Sequence, residues 1–200
     1  MPEMIWTIGH SNHTAEKFVE LLWQHGVAAV ADVRSGPYSR YNPHFDREAL
    51  KETLRGAGIE YVFLGRELGA RPEDSGCYLH GKVQFGPLSE TPLFQQGLDR
   101  VRQGAEKFRL ALRCAEKEPF DCHRTILVAR HLVRVGCEVT HILADGRTES
   151  HGETMGRLMA ELGMGAANLF LTTEDLMEDA YARQEARIAF DGSGAGTSAA

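Results

Sequence analysis

A chain of 200 residues, 42% hydrophobic and 25% charged, has room for one core of ordinary size and too much apolar content for a disordered polypeptide. Its 22 Lys plus Arg against 28 Asp plus Glu give a net charge of −6, which argues against a broad basic face tracking a polyanion but leaves room for a local basic pocket. No apolar run approaches the roughly 18 residues of a membrane span. The start MPEMIWTIGH lacks a basic stretch followed by an apolar one, and the four cysteines lack tight disulfide spacing, so a reduced, cytoplasmic protein is expected.

In chain order, short apolar runs alternate with helical patterns, the signal for βα units and a largely parallel sheet. Residues 4–8 predict a first strand, and Thr14 caps a helix to about residue 25 with Phe18, Leu21 and Leu22 on one stripe. A second strand follows at 28–33, a helix at 46–57 opened by Asp46 and left before Gly58, and a third strand at 59–64. Residues 65–90 carry Gly, Pro and polar residues without a clear period and are expected to be a lid. A helix at 93–103, a strand at 109–114, a helix at 124–135, a strand at 138–143 and helices at 153–162 and 173–188 complete the pattern. Residues 191–200, DGSGAGTSAA, read as a disordered tail. The expectation is therefore a single α/β domain over residues 1–190, with an open, mostly parallel sheet of about five strands and helices on both faces, Rossmann-like or flavodoxin-like. Strand order is left open.

Ligands of open α/β sheets bind outside the carboxyl ends of the strands. Those ends carry Gly9-His10-Ser11-Asn12, then residues 32–40 (DVRSGPYSR), Leu68-Gly69-Ala70-Arg71, then Cys114, Glu116 and Cys122-His123-Arg124, and finally Asp145-Gly146 with His151 nearby. The stretches TIGHS (7–11), DVRSGPYSR (32–40), YVFLGRELGAR (61–71), ALRCAEKEPFDCHR (111–124) and HILADG (141–146) resemble, in order and over about residues 5–162, the Domain of Unknown Function 488 family. The resemblance implies the fold and the position of the site rather than a reaction. One departure is Gly69-Ala70-Arg71, where the family tends to carry Gly-Gly-Arg; the extra methyl matters only if Ala70 needs positive φ.

Each candidate has a functional and a bland reading. Arg34, Arg40, Arg71 and Arg124 offer guanidinium forks for a phosphate or carboxylate, with Ser11, Asn12, Ser35 and Ser39 as short donors beside them. Alternatively, Arg34 pairs with Asp32. Asp32 would act as a general base, orient His10 or accept backbone N–H groups at a turn, and His10 is the natural proton shuttle. Cys122 is a nucleophile at a helix start or fills a strand–helix joint, while Tyr38 and Tyr41 stack a base or anchor the loop. His141, inside a strand, is expected to be a satisfied core histidine. A metal site drawn from Cys114, Glu116, Cys122, His123, His10 and His151 is disfavoured, because no CxxC or HxxxH spacing is present. A phosphatase cradle fails, since the positions six after Cys122 and Cys114 are Val128 and Phe120. Residues 76–82 match G-x4-G-K, but Val83 stands where a P-loop needs Ser or Thr. Gly163-Met-Gly165 lacks a third glycine, and no G-x-S-x-G elbow is present.

These residues describe an enzyme, a hydrolase or transferase, that binds a phosphate-bearing or otherwise anionic small molecule such as a nucleotide or a nucleic-acid end. His10, Asp32 and Cys122 are the catalytic candidates, and Ser11, Asn12, Arg34, Ser35, Ser39, Arg40, Arg71, Glu116, His123 and Arg124 the ligand-binding ones. No cofactor is assigned and no membrane partner is expected. The alternatives are a non-catalytic module sensing a nucleotide or nucleic acid and, third, a thiol- or metal-dependent redox protein.

Overall fold

Strands covered by helices on both faces have no polar side, and here Ile5, Ile8, Val30, Ala31, Ala111 and Leu112 are all buried. The structure, a computed structural model, describes residues 3–39, 41–165 and 171–192. From β1 (Met4–Gly9) the chain runs through α1 (Ala15–Gln24) to β2 (Ala29–Asp32), then through α2 (Arg47–Gly56) to β3 (Glu60–Phe63). The short α3 (Gly65–Leu68), the strands β4 (Tyr78–Leu79) and β5 (Lys82–Val83), and the helices α4 (Phe85–Glu90) and α5 (Pro92–Ala105) lead to β6 (Leu110–Cys114). A π-helical segment, Arg124–Ala129, runs into α6 (Arg130–Arg134), followed by β7 (Glu138–Ile142), β8 (Thr148–Ser150), α7 (His151–Glu161) and α8 (Thr173–Ile188).

The main sheet has six strands in the order β3-β2-β6-β1-β7-β8, all parallel except the antiparallel pair β7–β8. It is the open α/β sheet expected from the sequence with one strand more. The addition, β8, is three residues of TES at the edge, too short and polar to print an apolar pattern. Two apolar layers flank the sheet. Phe18, Leu21 and Leu22 of α1 and Leu50 and Leu54 of α2 pack with Trp6, Ile8, Val30 and Ala111 on one side. On the other, residues of α4, α5, α6, α7 and α8 pack with Ile5, Ala31, Leu110, Leu112 and Val139.

Residues 65–90 are not a lid. Leu68, Cys77, Val83, Phe85 and Leu88 are all buried in the second layer, and the segment folds as α3, a hairpin and α4. The apolar residues come in groups too short to show a period, which is why the stretch reads as loop. The G-x4-G-K match lies in this hairpin, whose turn residues His80 and Gly81 have φ of 51° and 82°, the handedness of a two-residue hairpin turn. The hairpin in turn holds the chain end: Val83 N–H donates to Phe190 O at 2.9 Å, and Gly192 N–H to Gly81 O at 2.8 Å. Residues 191 and 192 are therefore not part of a disordered tail, since Asp191 bridges to Lys82; residues 193–200 of the expected tail lie outside the described residues.

Candidate functional site

Three neighbouring strands, β2, β6 and β1, end at one level, with Asp32 beside Arg113 and Gly9 beside Cys114. Past their ends, His10 N–H donates to Cys114 O (3.0 Å), Ser11 N–H to Ala115 O (2.8 Å) and Val33 N–H to Arg113 O (3.1 Å). The three loops therefore leave the sheet together. Gly9 makes this possible: a Cβ there would stand 1.8 Å from Glu116 O, so only a bare Cα lets the loop after β6 cross the end of β1. Between the loops opens a cleft of about 420 Å³, lined by His10, Ser11, Asn12, Arg34, Gly36, Tyr38, Ser39, Asn42, Ala115, Glu116 and Lys117.

A buried charge network forms the floor. Asp32 Oδ1 accepts from the Arg34 backbone N–H (3.2 Å) and Nε (3.0 Å). Its Oδ2 accepts from Arg34 Nη2 (2.8 Å), Arg113 Nη1 (2.8 Å) and the Tyr61 hydroxyl (3.0 Å). Burial opposes ionisation of Asp32, yet the Arg34 hydrogen bonds and the charges of Arg113 and Arg34 outweigh it and hold the carboxyl below its usual value. Burial pulls Arg113 down to about 10, still charged at neutral pH. One carboxylate thus serves two guanidiniums, and one positive charge is left over beneath the cleft.

His10 lies against this excess charge. Its Nδ1 donates to Ser11 O at 2.8 Å, since a carbonyl can only accept, so Nε2 carries the lone pair. Nε2 is buried and has no partner among the described residues, and the ring packs on Phe45 with centroids 4.2 Å apart. Burial, then Arg113 and Arg34, lower its pKa to about 3, so the ring is a neutral base at pH 7. Ser11 has φ 48°, a left-handed conformation costly for a non-glycine residue and held by the two hydrogen bonds just described.

The remaining sequence candidates divide. Ser11, Asn12, Arg34, Ser39 and Glu116 line the cleft with His10, whereas Asp32 lies under it and acts through Arg34 and Arg113 rather than on His10. The four arginines do not share one site. Arg71 follows β3, the outermost strand, and with Ser35 it lines a separate cleft of about 460 Å³, its guanidinium 4.3 Å from the Phe190 ring centroid. Arg124 is 0% exposed, and its Nη1 donates to Glu116 O at 2.9 Å. Arg40 lies outside the described residues. Sequence reasoning missed Arg113 and Lys117, which supply the charge expected of the distant arginines. Arg113 did leave a trace, as the single charge in the apolar strand LALRC. Tyr38 (71% exposed) lines the cleft and Tyr41 (87% exposed) does not, and neither anchors the loop by burial. Ala70 is not among the described residues with positive φ, so its methyl needs no altered backbone.

Cys122 is buried and does not line the cleft. Its Sγ accepts the Arg124 N–H (3.4 Å) and, with Cys114 Sγ, faces His123 Nδ1. Cys114, Cys122 and His123 are the cluster among the described residues whose donor atoms suit a metal. Burial holds the Cys114 thiol well above its ordinary value. The Glu116 carboxylate resists burial and is drawn down to about 2 by hydrogen bonds from Cys122 and Cys114 and by His123. His141 is the satisfied core histidine expected, bonded to Thr7 Oγ1 (2.7 Å) and His151 Nδ1 (3.1 Å); His151 belongs to this buried chain and not to the cleft.

An open parallel sheet with a charged cleft over the carboxyl ends of its central strands defines an α/β protein of the doubly wound class. Within that class, residues 14–131, more than half of the chain, match the family model Domain of unknown function DUF488, and the chain belongs to this family. The matched stretch contains Asp32, Arg34, Arg113, Glu116 and residues 122–124, and it begins beyond His10, Ser11 and Asn12. No curated protein and no solved structure matches the chain.

Proposed function

We propose that the chain is an enzyme, a hydrolase or transferase, acting on a phosphate-bearing or similarly anionic small molecule in the cleft over β1, β2 and β6. The observation that carries this reading is the surplus positive charge of Arg34 and Arg113 over Asp32, set beside a neutral histidine whose Nε2 has no partner among the described residues. Arg34 holds the anion from the floor and Lys117 from the cleft wall, with Ser11, Asn12 and Ser39 as short donors. His10 Nε2 takes the proton of a water or hydroxyl nucleophile. The bound anion offsets Arg34 and Arg113, the charges that depress His10, so occupancy itself makes His10 a better base. Asp32 positions the two guanidiniums. A nucleotide or a nucleic-acid end fits the same chemistry, with Tyr38 available to stack a base.

Thermal-shift measurements with inorganic phosphate, nucleotides, sugar phosphates and short oligonucleotides test the reading. A ligand at 100 times its Kd stabilises by about 2.7 kcal/mol. Arg34→Lys, which keeps charge but loses the planar fork, is expected to weaken phosphate affinity about tenfold or more. Arg187→Ala, at the exposed end of α8, should leave it unchanged. Equal effects of the two would remove the cleft from the function. A ligand that binds through Arg34 yet is always recovered chemically unchanged would leave a sensing module in place of an enzyme.

A further inference from the structure

Behind the cleft lies a second concentration of chemistry that anion binding leaves unused. Cys114 ends β6, and Cys122 and His123 precede the π-helical segment; the chain between them folds back so that both sulfurs and a His123 nitrogen lie within 4.8 Å of one another. His123 Nε2 donates to Val33 O at 2.9 Å, which fixes its hydrogen there and turns the Nδ1 lone pair toward the two sulfurs at 3.8 Å and 3.9 Å. An imidazole tied through one nitrogen to a backbone carbonyl and open at the other is how metal-ligating histidines are held. Zinc bonds of about 2.3 Å to sulfur and about 2.0–2.1 Å to nitrogen place those atoms about 3.6 Å apart around a tetrahedron. The observed sulfur–nitrogen separations of 3.8 Å and 3.9 Å need close by only about 0.3 Å, and the two sulfurs, within 4.8 Å of each other, by at most about 1 Å.

The surrounding charge agrees. The Glu116 carboxylate, which lines the cleft, is held ionised by the two thiols and His123. Arg124, wholly buried, has Nε and Nη2 without partners among the described residues. Its backbone N–H donates to Cys122 Sγ at 3.4 Å, a bond that favours the thiolate a metal needs. We propose that Cys114, Cys122 and His123 bind a zinc ion. Two thiolates and an imidazole select zinc over magnesium or calcium, which prefer oxygen. The site is independent of the anion reading.

The test uses the full chain with its thiols reduced and stripped by a chelator. Added Co²⁺ is expected to give a near-ultraviolet sulfur-to-cobalt charge-transfer band and the visible bands of a tetrahedral site, and Zn²⁺ should erase both at a single ion per chain. Cys122→Ser and His123→Ala should lose the band. Cys137→Ser should keep it, since that thiol faces Glu3 instead. A wild-type chain without a thiolate band overturns the assignment, as does a band that survives in Cys122→Ser. The wild-type spectrum decides even if a variant fails to fold. Failure here leaves phosphate binding through Arg34 unaffected, so the two readings fall separately.

Discussion

Asp32 is a single carboxylate surrounded by Arg34, Arg113 and the Tyr61 hydroxyl, and its removal exposes what it does. Asp32→Asn leaves two buried cations facing a neutral amide and is expected to cost about 3–5 kcal/mol in urea unfolding. Tyr61→Phe removes one hydrogen bond to the same oxygen and should cost only about 1 kcal/mol. A similar loss in both variants would mean that the carboxylate is not compensating charge. Asp32 and Arg34 were legible in the sequence because both stand where an apolar strand ends. Arg113 was not, because it lies inside a strand and nothing local announces a partner 81 residues away. The cysteines show the opposite failure. Their spacing argued against convergence, yet a loop that doubles back brings Cys114 and Cys122 together.

At the level of elements, strands and helices with a clean period were found to within a few residues, and the misreadings fall where the pieces are short. The segment between α3 and α4 gains its order from distant chain. The Phe85 N–H at the start of α4 donates to Glu185 Oε1 of α8 at 2.7 Å, a cap supplied from 100 residues away. Glu185→Ala is expected to lower stability by about 1 kcal/mol. Hydrogen exchange should quicken at the Phe85 amide and leave β1 and β6 protected. Equal exchange in variant and parent would show that α4 holds its first turn without α8. No reading of residues 65–90 alone could have seen this, because the partner groups lie in α8 and residues 190–192.

Across the whole molecule, His10, His141 and His151 are, among the described residues, buried as neutral rings. Burial, with nearby positive charge, lowers His10 to about 3; burial lowers His151 to about 4; and burial with His151 and Arg124 takes His141 well below its ordinary value. In the unfolded chain each titrates near 6.5, at about that pH. Their contribution is therefore complete above about pH 6.5 and is lost as pH falls toward the folded values, because the unfolded chain takes up protons that the folded one refuses. Stability in urea should be flat from about pH 8 to 7 and then fall by up to about 1.4 kcal/mol per pH unit for each ring. His151→Gln should make that slope shallower. Asp32, depressed by its arginines, adds its loss only below about pH 4. A flat profile down to pH 4 would mean the rings are charged inside the fold.

The order β3-β2-β6-β1-β7-β8 also governs how such a chain comes to exist. β1 and β2 are made early and never pair, for the strand that separates them begins at Leu110. A nascent chain holding only the first hundred or so residues has the β2–β3 pair, a lone β1 and an empty slot between them. Closing that slot is a long-range event, the slow kind of contact in folding. The strand that fills it brings Arg113 to Asp32 and Cys114 to the base of the cleft. Joining β1 to β2 across β6 and assembling the site are thus one step, and a chain released before Leu110 has neither.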